Sequence, residues 1–201
     1  IGFILTMIIY KDKTDVVTES TMSAADSSDR AEGGTDAALP ETDEKGEGLV
    51  KRIEIANPVK GTVVRQEDMA DEAFASGVLG KGVAIRPEEG KVYAPVDGEI
   101  SVLFPTFHAI GIRTEEGADL LIHIGLNTVQ LEGKGFTPKI RQGDKIKKGQ
   151  LIMEFDKELI EKAGFSTEPP VLVSNADDYA DVVAREGEKK AAGEELLTVI
   201  C

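Results

Sequence analysis

The 201-residue chain contains only two histidines, His108 and His123, on either side of a turn-rich stretch. A neutral imidazole keeps a lone pair on one ring nitrogen, which can attack phosphorus or bind a metal ion. A second imidazole beside it can donate a hydrogen bond to the transferring group and offset its charge. Between the two runs Arg113-Thr-Glu-Glu-Gly-Ala118, a natural hairpin turn. A loop centred between Glu115 and Glu116 pairs Thr114 with Gly117 and Arg113 with Ala118, which sets His108 opposite His123. Directly opposed residues carry Cβ atoms about 4.5–5.5 Å apart on one face. An odd loop with a bulge would shift the pairing by one residue.

Strand alternation puts Thr106, His108, Ile110 and Ile112 on one face of the first strand, and Asp119, Leu121, His123 and Gly125 on one face of the second. The expected site holds two imidazoles and one hydroxyl, walled by Leu121 and Ile110. The Thr106 hydroxyl can fix the tautomer of a neighbouring ring, and Gly125 leaves room for close approach to His123. The residues flanking His123 are uncharged and Asp119 lies four positions away, which suits a phosphoryl group of about two negative charges. The alternative for each ring is a satisfied structural histidine.

Many short strands must position these residues. Apolar runs bounded by Gly, Pro or Asp occur at Arg52–Ile55, Gly82–Ile85, Gly98–Leu103, His108–Ile112, Leu120–Ile124, Leu151–Phe155, Val171–Val173 and Leu196–Ile200. This spacing predicts an all-β fold, an antiparallel β-sandwich or barrel. Minor short helices are expected near Asp68–Ala75, at Lys157–Ala163 and at Asp177–Arg185. A Pro-Val-x-Gly-x-(Val/Ile) pattern occurs twice, at Pro58–Val63 and Pro95–Ile100, and reads as two related hairpins.

The folded domain is expected over residues 49–201. Residues 11–48 carry 11 acidic and 4 basic side chains, lack a hydrophobic pattern and read as a flexible acidic linker. Residues 1–10 are almost wholly apolar, with Lys11 and Lys13 directly after. Of a stray strand and the end of a truncated membrane helix, the second fits better, because lysines mark the cytoplasmic end of such a helix. The net charge of −14 excludes nucleic acid as a partner. Cys201, the single cysteine, excludes a disulfide framework.

At the two histidines the sequence resembles the glucose-type IIA domain of the bacterial sugar phosphotransferase system. The resemblance runs from about Ile53 to Ile200 and is most specific over Gly117-Ala-Asp-Leu-Leu-Ile-His-Ile-Gly-Leu-Asn-Thr-Val129. Val92–Gly98, Thr106–Ala109, Phe155-Asp156 and Pro170–Asn175 follow in the family's order. The resemblance implies phosphorylation of His123, support from His108, hydrogen bonding by Thr106, and an exposed apolar docking surface that includes Phe74, for which a core aromatic is the equal alternative. It also implies the histidine phosphocarrier protein as donor, a cysteine on a IIB domain as acceptor, and a IIC membrane domain in the same full-length chain. The domain would then work at the cell membrane, on its cytoplasmic side. Asn127 stands where many relatives carry Asp.

Other classes fit less well. A zinc peptidase needs three protein ligands, and its His-x-His pair is missing here. No cofactor is required, although a zinc ion could be shared between His108 and His123 if a partner supplied a further ligand. A lipoyl or biotinyl carrier, prompted by Gly143–Gly149, needs an exposed modifiable Lys at a hairpin tip. A regulatory binding module whose partners are switched by phosphorylation of His123 is compatible with the principal reading.

Overall fold

The structure, a computed structural model, describes residues 51–185 and 189–201. They belong to the second of two units into which the chain divides, Glu47–Cys201. The membrane-helix end expected at 1–10 and the linker expected at 11–48 lie outside the described residues. Among the described residues no helix is long and apolar enough to cross a membrane.

Short β-branched and aliphatic runs become strands because each has one face to bury. In chain order they are β1 (Arg52–Ala56), β2 (Gly61–Arg65), β3 (Lys81–Pro87), β4 (Lys91–Tyr93) and β5 (Gly98–Leu103). Then come β6 (Ala109–Thr114), β7 (Asp119–His123), β8 (Phe136–Pro138), β9 (Lys145–Ile146) and β10 (Leu151–Phe155). The last are β11 (Pro170–Val173), β12 (Asp181–Ala184), β13 (Lys189–Lys190) and β14 (Glu195–Ile200). Two short helices, α1 (Glu72–Ala75) and α2 (Lys157–Lys162), agree with the first two expected helical turns. Each begins at an Asp whose carboxylate accepts a helix N–H, Asp71 from Ala73 and Asp156 from Leu159.

The third expected helix, at Asp177–Arg185, is not formed. A single 3-10 turn at Ala176–Asp178 leads into β12, where Val182 and Val183 pair with β14. β-Branched residues next to a ready strand edge outweigh a weak helical pattern.

The antiparallel strands form an eight-stranded sheet in the order β13-β2-β3-β11-β7-β6-β5-β9 and two three-stranded sheets, β1-β14-β12 and β4-β10-β8. Fully buried Ile55, Ile85, Ile110, Ile122, Ile152 and Leu197 belong to one core shared by all three sheets. The all-β expectation therefore holds. β7 lies near the centre of the large sheet, between β6 and β11, so His123 sits at the end of a strand held on both sides.

The repeated Pro-Val-x-Gly segments meet each other. Ala56 N–H donates to the Pro95 carbonyl (3.0 Å), and Tyr93 N–H donates to the Pro58 carbonyl (2.8 Å). Their glycines start β2 and β5 and lie hard against the neighbouring strand. A Cβ on Gly61 would come within 2.1 Å of the Arg86 carbonyl oxygen, and one on Gly98 within 2.4 Å of that of Arg113. Gly98→Ala must push β5 away from β6 and is expected to cost about 1–3 kcal/mol, as overpacking does. Urea denaturation measures the loss, and an unchanged midpoint would show that the strands part without penalty.

Candidate functional site

The β6–β7 turn has an odd number of residues. Thr114 N–H donates to the Ala118 carbonyl (2.9 Å), and Gly117 takes a left-handed conformation with φ of 96°. The loop is thus Glu115–Gly117, and a three-residue loop with a bulged glycine shifts the register by one. Arg113 pairs with Asp119, Ile110 with Ile122 and Ala109 with His123. The expected pairing of His108 with His123 is therefore corrected, and so is the expected wall. Ile110 faces the main core, while Leu121 shares the outer face with His123.

The two rings still meet, by another route. Phe107 adopts a left-handed φ of 57°, which breaks strand alternation just before β6 and frees His108 from it. The backbone there remains anchored, because Ile124 N–H donates to the His108 carbonyl at 2.7 Å. The ring centroids of His108 and His123 are 5.0 Å apart, at an interplanar angle of 77°. Phe104 packs edge-on against His108 at 5.3 Å, and Phe74 lies against His123 at 5.2 Å.

Each histidine has one ring nitrogen committed. His108 Nδ1 lies 2.6 Å from Thr106 Oγ1, so Thr106 is where the sequence put it. His123 Nδ1 lies 2.6 Å from the Gly125 carbonyl oxygen. A carbonyl only accepts, so Nδ1 carries the proton and donates it, leaving the lone pair of the neutral ring on Nε2.

Gly125 does more than leave space. Its φ is 72°, and a Cβ there would come within 2.1 Å of the Ser166 carbonyl oxygen and 2.9 Å of Thr128 Cγ2. Only glycine fits, and the resulting turn aims its carbonyl back at the imidazole.

Phe74 differs from expectation. It is only 7% exposed and packs with Met69, Ala84 and Leu172 in a small second core on the outer face. It forms a wall beside His123 and not an exposed docking residue. Val78 and Val129 are the exposed apolar side chains of the neighbouring segments, at 79% and 45%. The sequence reading also missed Asp71, whose carboxylate acts on His123 through space. Its place just before a short helix was the available signal. Asp119 is held by Arg113 through two 2.7 Å hydrogen bonds and is committed there.

Burial lowers the pKa of both rings. For His123 desolvation outweighs the Gly125 hydrogen bond and the Asp71 charge, which both raise it. For His108 desolvation, aided by repulsion from His123, lowers it to about 4. Both rings are therefore neutral at pH 7, and His108 acts through a hydrogen bond before it acts through charge. Among the described residues no group of three or more His, Cys, Asp or Glu is placed to hold a metal ion. The pair fits at most two sites on a zinc ion.

The family model described as phosphoenolpyruvate-dependent sugar phosphotransferase system, EIIA 1, matches residues 53–179. The chain belongs to this family. It is a phosphotransferase component of the sugar phosphotransferase system.

Among the relatives of this EIIA chain, a PTS system beta-glucoside-specific EIIBCA component from Dickeya chrysanthemi is 42% identical over 176 residues, covering 88% of this chain and 28% of that protein. A PTS system glucose-specific EIIA component from Halalkalibacterium halodurans is 46% identical, covering 71% of this chain and 83% of that protein. The solved glucose permease IIA from Mycoplasma capricolum superposes with a TM-score of 0.67 at 30% identity, covering 74% of this chain and 96% of that one. The chain spans about a quarter of the length of the EIIBCA relatives it matches.

A His108 pKa lowered from 6.5 to about 4 ties the stability of the EIIA fold to pH. Between those values the unfolded chain binds the proton and the folded chain does not, so stability falls as pH falls through this window and is complete above it. His108→Gln removes this contribution. Comparing denaturation midpoints at pH 7.5 and 4.5 is expected to show a smaller acid loss in the variant than in the parent. The shifted carboxylates Asp97, Glu154 and Glu195 act alike in both proteins.

Proposed function

We propose that this EIIA domain carries the phosphoryl group on Nε2 of His123, accepting it from the histidine phosphocarrier protein and passing it to a cysteine of a IIB domain. The observation that supports this most is the 2.6 Å contact of Nδ1 with the Gly125 carbonyl, which leaves Nε2 as the nucleophile. In the first step the Nε2 lone pair attacks phosphorus, and the donor's phosphorus–nitrogen bond breaks with its electron pair returning to the donor imidazole. In the second, a IIB thiolate attacks phosphorus and the electron pair returns to Nε2. No proton need leave Nδ1 in either step. His108, with Nδ1 engaged by Thr106, is the group to hydrogen-bond the transferring phosphoryl oxygens.

The EIIBCA names of the relatives favour a full-length protein that also carries B and C parts, with a IIC membrane domain and this domain on the cytoplasmic side of the cell membrane. The exposed Val78 and Val129, in place of Phe74, are suited to an apolar rim for partners. A zinc ion between His108 and His123 needs a further ligand from a partner. Calorimetry on the isolated domain is expected to show weak zinc binding or none, and tight binding at neutral pH would count against a two-ligand site.

The decisive assay incubates the domain with enzyme I, the phosphocarrier protein and phosphoenolpyruvate. A mass gain of one acid-labile phosphoryl group, mapped to His123, is expected, and phosphate on His108 or Asp119 would overturn the assignment. His123→Ala is expected to accept nothing. His108→Gln is expected to be phosphorylated but to transfer onward roughly 100- to 1000-fold more slowly, the usual cost of one charge-stabilising donor.

A further inference from the structure

Thr128 is completely buried. It lies in the 3-10 turn Thr128–Leu131, which follows Asn127 in a left-handed conformation with φ of 60°. Its hydroxyl donates to the Ile124 carbonyl at 2.6 Å. Its Cγ2 is 2.9 Å from where a Cβ on Gly125 would stand. Thr128 thus touches the Gly125 turn twice, once through each branch of its side chain.

The two peptide planes that flank Gly125 are held separately. The Ile124–Gly125 plane is fixed by the Thr128 hydroxyl on the Ile124 carbonyl. The Gly125–Leu126 plane is fixed by Leu126 N–H, which donates to the Ser166 carbonyl at 3.3 Å. The Gly125 carbonyl belongs to this second plane, and its direction also depends on the first, because the left-handed φ of 72° joins them. That carbonyl receives the Nδ1 proton of His123.

We infer that Thr128 is a positioning residue: through the Ile124 carbonyl it holds the Gly125 turn, and so keeps the proton of His123 on Nδ1 and the lone pair on Nε2. The inference rests on the phosphoryl-transfer role of His123 proposed above. An imidazole without a fixed acceptor at Nδ1 exchanges its proton between two tautomers, and only one exposes the reactive Nε2 lone pair. A hydrogen bond biases such an equilibrium by roughly 3- to 10-fold.

The test uses Thr128→Val, which keeps the shape and removes the donor, and Thr128→Ser, which keeps the donor. Thr128→Ala, which adds no bulk, serves the same purpose as Val if Val does not fold. Imidazole 15N shifts of His123 report the tautomer, and the phosphocarrier assay reports the rate. In Val or Ala the Nδ1–H form is expected to decline and phosphoryl acceptance to slow by roughly 3- to 10-fold, while Ser recovers both. A variant that melts earlier but keeps the parental 15N pattern and rate shows that Thr128 only packs, and overturns the inference. So does a Ser variant that behaves like Val, since the hydroxyl would then not matter. If the parent protein takes no phosphate on His123, the functional reading falls instead, and the 15N shifts still decide the positioning role.

Discussion

The hydrogen bond from His123 Nδ1 to the Gly125 carbonyl is the constraint around which the site is arranged. A free imidazole exchanges its proton between two nitrogens and presents no unique nucleophile. Fixing Nδ1–H requires a carbonyl two residues along the chain to turn back on the ring, which a continuing strand cannot do. β7 therefore ends at His123, and the backbone enters the left-handed region at Gly125. The approach of Ser166 to the Gly125 α-carbon ties this turn to the segment that leads into β11, which is itself paired with β7. The sheet thus supplies the histidine, and the segment leading into β11 supplies the neighbour that shapes its acceptor.

Burial and charge are balanced around the same ring. Desolvation favours the neutral form of His123, while the Gly125 carbonyl and Asp71 pull its pKa the other way. Those two groups favour a positively charged ring. On the role proposed for His123, phosphorus would occupy Nε2 while Nδ1 keeps its proton, and such a cationic ring is the better leaving group, so they would favour passing the phosphoryl group onward. On the same proposal, the low pKa of His108 would rise beside a dianionic phosphoryl group, because an opposite charge favours the protonated form. An uncharged resting site can in this way become charge-stabilising only when occupied.

Much of this was legible in the sequence, for local reasons. Eight apolar runs announced strands because alternation and bounding Gly or Pro are written in consecutive residues. That His108 lies beside both His123 and Thr106 was also legible, although the register behind it was wrong by one. The turn length depended on Gly117 adopting a left-handed φ, and the rings meet because Phe107 does the same, which an aromatic residue does not advertise. Phe74 was left undecided between a docking residue and a core aromatic, because its burial depends on strand residues of other segments, Ala84 and the distant Leu172. Asp181–Ala184 looked helical because its strand partner, β14, lies in a later segment. What the sequence withheld was set either by a backbone conformation that residue type does not announce, at Phe107, or by a neighbour from another segment, at Phe74 and Asp181–Ala184.

Among the described residues, the non-glycine residues with positive φ are Phe107, Asn127 and Glu132. Phe107 precedes His108, and Asn127 and Glu132 bracket the turn that contains Thr128. The segments touch, since a Cβ on Gly133 would lie 3.7 Å from Phe107 Cδ2. Backbone in this region costs roughly 1–3 kcal/mol per residue and persists only where the surroundings over-determine it. The surroundings here are a closed core and a sheet held on both sides of β7, so the strain is concentrated beside the two histidines. A phosphoryl relay gains from that concentration. The group it transfers is small and bound through one atom, so positioning cannot come from wide contacts with the substrate and must be built into the protein before the substrate arrives. A β-frame that gathers its left-handed non-glycine residues near the site meets that requirement.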